Sequence, residues 1–418
     1  MASFSFGSGN AAKLLRIPLY LAGRIGTVLV PRGTRWVFGC GAGVGDGALA
    51  LWRLADERGH DTLWLTTSDR EDRDAAALGI RTVRKGGLRG WWATARAGVV
   101  VVTHGLGDVN RYAIAGAFVV QLWHGIPLKR IGLDSPATTQ VPAVPGAPLL
   151  RRLVGVLYRS AAQRIRVLPA ASHRSRGRLE SAFALGDDRV VVTGEPRVDV
   201  LSQGTSDGRR AHAFAVLRRA LDEELPVGAR TILYAPTWRD GAADPAIPTA
   251  AQWRSIIGTL EEHDAVLLIR SHPLGEGAYL PPVSSRRVRM LGAGLVPDVT
   301  PVLPAMDVLI TDYSSLAYDV GLLAMPVLFL APDAEEYARV RGFYGRYEDV
   351  AGRDAAEGWD EVLGQLAGLL ADDTAFEAAS RRSATLSAEM HAFRDGRNTH
   401  RVYETIRARG IPAPKGAA

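Results

Sequence analysis

The chain has 418 residues, 47% of them hydrophobic and 22% charged, enough apolar material for two cores at roughly 100 to 200 residues per domain. With mixed charges and no dominant low-complexity block, it is neither disordered nor fibrous. A single cysteine, Cys40, excludes an internal disulfide framework and a Cys-based zinc cluster, and fits a reducing compartment.

The net charge of +6 is local. Residues 1–45 carry Lys13, Arg16, Arg24, Arg32 and Arg35 with no acid, and residues 135–179 carry eight Arg with none. The remainder holds 37 bases against 44 acids. No basic stripe interleaved with aromatics and no reading motif is present, so nucleic acid is not the expected partner. Cations beside apolar residues instead point to an anionic membrane surface. The expected contacts are Lys13, Arg16 and Arg24 near the N-terminus, and Arg151 and Arg152, with Arg159, after a Pro-rich loop at 134–148. Residues 14–31, LLRIPLYLAGRIGTVLVP, are broken by Arg16 and Arg24 and do not span a bilayer, nor do they carry a signal-peptide cleavage site. They read as an interfacial anchor or, equally, as an arm on the protein's own core, with Pro18, Gly23 and Gly26 weakening a long helix.

In chain order the predicted strands are WVFGC at 36–40, TLWLTT at 62–67, GVVVVT at 98–103, AFVVQLW at 117–123, RIRVLP at 164–169 and VVVTG at 190–194. TILYAPT at 231–237, AVLLIR at 265–270, VRML at 288–291, DVLITD at 307–312 and VLFLA at 327–331 follow. Continuous rather than alternating hydrophobicity is the mark of parallel strands covered on both faces, so the fold class is α/β. The polar stretch at 202–210 divides the pattern into two doubly wound parallel-sheet domains, expected to face each other across a cleft. The expected divisions are an arm at 1–35, domains at 36–203 and 204–390, and a C-terminal helix and tail at 391–418, the helix crossing back to the first domain.

Ligands of open parallel sheets sit beyond the carboxyl ends of the strands, so the polar residues following each run are the candidates. They include His124, Arg197, Thr237, Arg239, Arg270 with His272, and Asp312 with Ser314 and Ser315. The segment 307–331 reads as a βαβ unit, with Ser314 or Ser315 capping a helix whose apolar positions are Leu316, Val320 and Leu323, and Pro326 ending it. A helix start beside a strand end suits an anion, although simple capping explains the serines equally well. Asp319 falls among the apolar positions of that helix, where a carboxylate needs a partner, either substrate or an Arg. GCGAGVGDG at 39–47 is a poor match to a dinucleotide fingerprint, and no phosphate loop or metal-ligand spacing appears. No resident metal is expected; a divalent cation arriving with a diphosphate stays open.

Taken together, QLWHGIPLKRIG at 121–132, VVTGEPRVDVL at 191–201, ILYAPTWRD at 232–240, LLIRSHP at 267–273, DVLITDYSSLAYDVGLLAMPVLFL at 307–330, EEYARVRGFYGRYED at 335–349 and DGRNTHRVYETI at 395–406 resemble the CDP-glycerol glycerophosphotransferase family of wall teichoic acid synthesis. The resemblance implies the two-domain GT-B fold, a CDP-alditol donor, a prenyl-diphosphate-linked saccharide or polymer acceptor, and a peripheral position on the cytoplasmic face of the cell membrane. It implies that His124 is the general base on the acceptor hydroxyl, that His272, with Arg270 nearby, belongs to the diphosphate site, and that Ser314 and Ser315 bind the diphosphate. Asp312, Asp319, Arg239, Thr237 and Arg197 are the further substrate-binding candidates. The segment following residues 36–40 departs from the family, which more often has bulkier polar residues there. A GT-B glycosyltransferase using a nucleotide sugar and an inactive membrane adaptor are the competing readings. Glycerol against ribitol, one addition against many, and oligomeric state are not legible in the sequence.

Overall fold

Each of the eleven apolar runs forms a strand, and a twelfth, Thr82–Arg84, joins them. The computed structural model describes residues 17–141, 146–221, 224–237, 239, 244–271 and 279–411. The chain divides into two units, one made of the residues up to Asp199 and from Arg397 onward, the other of Val200–Gly396.

The first unit runs α1 (Ile17–Leu29), β1 (Trp36–Gly39), α2 (Asp46–Glu57), β2 (Thr62–Thr66), α3 (Asp69–Ala77), β3 (Thr82–Arg84), α4 (Gly87–Arg96), β4 (Val99–Val102) and β5 (Phe118–Gln121). It continues with α5 (Ala147–Ala162), β6 (Ile165–Ala170), α6 (His173–Phe183) and β7 (Val190–Val192). Its seven strands lie in the order β3-β2-β1-β4-β5-β6-β7, all parallel. One apolar cluster gathers Val37, Val100, Val119 and Leu168, and another gathers Phe38, Val101, Val120 and Val167. Neighbouring residues of each strand thus enter opposite clusters, as a sheet covered on both faces requires.

The second unit runs α7 (Ser206–Ala220), β8 (Arg230–Ala235), α8 (Ala250–Glu262), β9 (Ala265–Ile269), β10 (Val288–Met290), β11 (Val308–Thr311), α9 (Leu316–Val320) and β12 (Val327–Phe329). The helices α10 (Ala334–Val340), α11 (Glu348–Ala351), α12 (Trp359–Ala371) and α13 (Asp373–Met390) complete it. Its sheet is also parallel, in the order β10-β9-β8-β11-β12. The last helix, α14 (Asn398–Ala408), belongs to the first unit. Val402, Tyr403 and Ile406 enter the cluster of Trp36 and Phe38, and the Asp199 carboxylate caps the helix by accepting the Asn398 and Thr399 N–H groups at 2.9 and 2.7 Å.

Both sheets reverse their strand order once, between β1 and β4 and between β8 and β11. The crevice beyond the carboxyl ends of such a strand pair is where doubly wound folds place ligands. In register, Gly39 stands beside Val102, Val102 beside Gln121, and Ala235 beside Thr311. The residues that follow these strands therefore emerge side by side.

The N-terminal arm is helical over Ile17–Leu29 despite its glycines. A Cβ on Gly23 would strike the Tyr112 carbonyl oxygen, so glycine permits the close approach that seats the helix. Arg32 follows and donates to the carbonyls of Thr94, Ala97 and Ala113 at 2.7 to 2.9 Å, tying the arm to the end of α4 and the loop before β5. Leu21, Ile25, Val28 and Leu29 face outward and are exposed. One face thus lies on the core and the other is open. Lys13 and Arg16 fall outside the described residues. No helix among the described residues is long and apolar enough to cross a membrane.

Candidate active site

In the first unit the strand ends at the order reversal carry Cys40 and Gly41 after β1, His104 after β4, and His124 after β5. Trp123 has a φ of 65°, a left-handed conformation that non-glycine residues adopt rarely and at a cost of order 1 kcal/mol or more. The chain turns sharply there. His124 keeps part of its surface open, while its Nδ1 is buried without a hydrogen bond. Its ring lies against Trp123, with centroids 4.3 Å apart, and nearly parallel to His104, at 4.5 Å and 10°. Burial, reinforced by His104, Arg197 and Lys129, holds the imidazole well below its ordinary pKa. It is therefore neutral near pH 7 and able to accept a proton.

Arg197, after β7, is buried and pairs with Glu195 through Nε and Nη2 at 2.9 and 2.7 Å. Its guanidinium reaches His124 as charge, so in this structure it acts on the neighbouring histidine. Gln121 donates to the Thr103 carbonyl at 2.6 Å, bracing the ends of β4 and β5 beneath the two histidines.

In the second unit Thr237 follows β8, and Asp312 to Ser315 follow β11. The Asp312 carboxylate accepts the Thr237 N–H at 2.9 Å and the Tyr313 N–H at 2.6 Å, and pairs with Arg239 Nη1 at 2.8 Å. Arg239 grips Asp333 with Nε and Nη2, both at 2.8 Å, and lies over the rings of Tyr313 and Tyr337. Tyr313 and Tyr337 stack at 4.1 Å, and the Tyr313 hydroxyl donates to Asp333 at 2.8 Å. Burial pushes the Asp333 carboxyl up, but the hydrogen bonds from Arg239 and Tyr313 outweigh it and hold the group below its usual range. Arg239 and Asp312, expected to touch substrate, are engaged with each other and with the backbone. Their geometry fixes the ends of β8 and β11.

Ser314 and Ser315 are half-buried at the end of β11. The expected helix through Leu323 is shorter: α9 ends at Val320, and a 3-10 turn continues over Gly321–Leu323, where Gly321 packs tightly on Ser383 and Ser387 of α13. Ser314 Oγ accepts the Leu316 N–H at 3.2 Å, whereas Ser315 makes no capping bond. Asp319, the misplaced carboxylate, is 1% exposed and faces His391 Nε2 at 3.6 Å. A histidine is thus among its neighbours in this structure, and it is sealed from the surface.

Arg270 also departs from expectation. Its guanidinium donates to the carbonyls of Leu291, Val296 and Pro297, closing the loop after β10. That engagement serves loop closure. His272 lies outside the described residues, and no cluster of metal-ligating side chains occurs among those described. His104 and Asp333 were missed from the sequence, and Glu195 and Tyr313, which also follow strand runs, carried no assigned role. For His104 the signal was the one that found His124, a polar residue directly after an apolar run.

Comparison with known proteins follows the same motifs. The family described as CDP-Glycerol:Poly(glycerophosphate) glycerophosphotransferase matches residues 42–408. A teichoic acid glycerol-phosphate transferase of Staphylococcus aureus is 28% identical over 294 residues, 69% of this chain and 70% of that protein. A teichoic acid poly(glycerol phosphate) polymerase of Staphylococcus epidermidis is 31% identical over 245 residues, which cover 56% of this chain and 31% of the polymerase. The solved wall teichoic acid polymerase TagF superposes with a TM-score of 0.72 at 21% identity, covering 96% of this chain and 97% of that one. A UDP-GlcNAc 2-epimerase from Neisseria meningitidis superposes at 0.54 with 13% identity, over 90% of this chain and 100% of the other. At these identities the structural likeness shows the fold alone, which is GT-B-like.

Proposed function

The chain belongs to the CDP-glycerol:poly(glycerophosphate) glycerophosphotransferase family and is a transferase of teichoic acid synthesis; from that premise we propose that it moves glycerol phosphate from CDP-glycerol to a hydroxyl of a prenyl-diphosphate-linked acceptor at the cytoplasmic face of the cell membrane. The acceptor oxygen attacks the phosphorus that bears glycerol, the phosphorus–oxygen bond to CMP breaks, and CMP departs with the electron pair. His124 takes the hydroxyl proton as general base. The observation that carries this reading is the neutral, partly open imidazole at the carboxyl end of β5, beside the order reversal of its sheet.

Ser314 and Ser315, with His272, hold the diphosphate. The support for the two serines is their position beyond β11 at the second order reversal, with the chain there locked by Asp312, Arg239 and Asp333. Thr237 shares that strand-end position, and Arg197, Arg270 and Asp319 act on its surroundings rather than on the donor.

Membrane contact is assigned to two helices. In α5, Leu149, Leu153, Val156 and Leu157 are exposed, while Val154, Tyr158 and Ala162 face the core. The outward positions follow the spacing i, i+4, i+7, i+8, and α1 repeats it with Leu21, Ile25, Val28 and Leu29. Exposed Arg151, Arg152, Arg159 and Arg24 flank these stripes. Apolar stripes edged by cations are what an anionic bilayer interface binds.

The test is a donor panel. Incubation with CDP-glycerol, CDP-ribitol and UDP-sugars, each with a prenyl-diphosphate-linked acceptor, should release CMP from CDP-glycerol and extend the acceptor by glycerol phosphate. UDP release from a sugar donor, with CDP-glycerol left intact, would instead establish a glycosyltransferase.

A further inference from the structure

We propose that His104 is a positioning residue for His124: its imidazole stacks on the His124 ring, packs close to the backbone at Gly41, and sets the angle from which the His124 ring takes the acceptor proton. The inference rests on the assignment of His124 as base and adds the device that holds it. A catalytic histidine is ordinarily oriented by a hydrogen bond from its second nitrogen. His124 Nδ1 makes no well-formed hydrogen bond; the Thr103 backbone acts on the imidazole, and ring contacts with Trp123 at 4.3 Å and His104 at 4.5 Å add to its orientation.

His104 is itself fixed from three sides. A Cβ built on Gly41 would lie 3.0 to 3.1 Å from three atoms of His104, so only glycine leaves room for the ring at that height. The Cys40 Sγ lies 3.9 Å from His104 Nδ1. Burial raises the Cys40 pKa well above its ordinary value, so the sulfur stays a thiol and packs beside Nδ1. The main chain is held by Asp108, whose carboxylate accepts the N–H groups of Thr103, His104 and Gly105 at 3.0, 2.7 and 3.2 Å. Burial lowers the His104 pKa to about 4, so the plate is neutral at working pH. Around the pair stand Cys40 and Asp46 after β1, Asp108 after β4 with Lys85 near it, Lys129 after β5, and Arg197 with Glu195 after β7. The small, glycine-rich segment after β1 thereby acquires a purpose: it is the floor on which His104 rests.

The experiment uses the full chain with CDP-glycerol and a prenyl-diphosphate-linked acceptor. It compares wild type, His104→Ala, His104→Phe, Gly41→Ala and His124→Ala by kcat and KM against pH, and by NMR titration of the His124 imidazole. In His104→Ala, kcat should fall about tenfold because the base loses its angle, while KM for CDP-glycerol stays within about twofold. Water then reaches the His124 ring, its pKa rises toward the ordinary value, and the acid limb of the rate profile moves to higher pH. His104→Phe keeps a flat ring without a titratable nitrogen and should recover most of kcat with the limb in place. Gly41→Ala, which displaces the plate, should resemble a milder His104→Ala. Folded His104→Ala with wild-type kcat and an unmoved His124 titration overturns the inference, as does His104→Phe that is no faster than His104→Ala. Retained turnover in His124→Ala would instead remove the base assignment, with the NMR titration still reporting on the ring stack.

Discussion

The two strand-order reversals solve opposite problems. Beyond β1, β4 and β5, burial keeps two imidazoles neutral, the rings are held by stacking, and one nitrogen of His124 stays unbonded. Beyond β8 and β11, full charges abound, yet Asp312, Arg239 and Asp333 are bound to one another and to the backbone. A proton acceptor must be uncharged, so the first region keeps its imidazoles neutral by burial rather than pairing them with acids. On the proposed assignment the second region holds a charged diphosphate, for which a fixed backbone and hydroxyls suffice, and its charges are consumed in rigidity.

The comparison breaks most visibly at Arg239. Replacing it with Met leaves Asp312 and Asp333 without their cation, and breaking such a buried pair costs about 3 to 5 kcal/mol. Chemical denaturation should show that loss, and Arg197→Met, which strips the cation from buried Glu195, should show one of the same kind. The Asp333 pKa is depressed in the folded state, so its stabilisation is complete above the unfolded carboxyl pKa, near 4, and fades as pH falls through the lower folded value. Thermal unfolding between about pH 5 and 2 should show this acid loss in wild type and a weaker dependence in Arg239→Met.

Next in size is the membrane contact. Arg151→Ala with Arg152→Ala should weaken binding to anionic vesicles by about 2 kcal/mol, roughly 30-fold, with solution turnover retained on a short-chain acceptor. Salt-insensitive co-sedimentation equal to wild type would remove α5 from that surface. The smallest effect concerns the serines. Ser314→Ala should cost about 0.5 to 1 kcal/mol of stability through its one bond to Leu316, and Ser315→Ala close to nothing, because it caps nothing. A large stability loss from Ser315→Ala would show that its hydroxyl has a structural partner.

Most of the fold was legible because buried parallel strands write themselves as apolar runs. Thr82–Arg84 was not, since a three-residue edge strand that is only half-buried needs no such run. The helix after Ser315 had the right apolar spacing, but its length is set by Gly321 meeting α13, more than sixty residues away in sequence. His124, Ser314 and Ser315 were singled out as candidates by their place after a strand. What a strand end cannot reveal is whether its polar groups face solvent or each other. Arg239 with Asp312 and Arg270 with three carbonyls were therefore read as substrate-binding, and the partner expected for Asp319 could not be named, because the groups they meet lie far along the chain.

The division of labour is tested most directly by measuring CDP-glycerol affinity and single-turnover CMP release in the same two variants. The account predicts that His124→Ala binds CDP-glycerol like wild type and loses at least about 10² in CMP release. Ser314→Ala/Ser315→Ala should lose affinity beyond what its stability change explains, and recover turnover at saturating donor. His124→Ala that turns over normally, or a double serine variant with unchanged affinity, would contradict it.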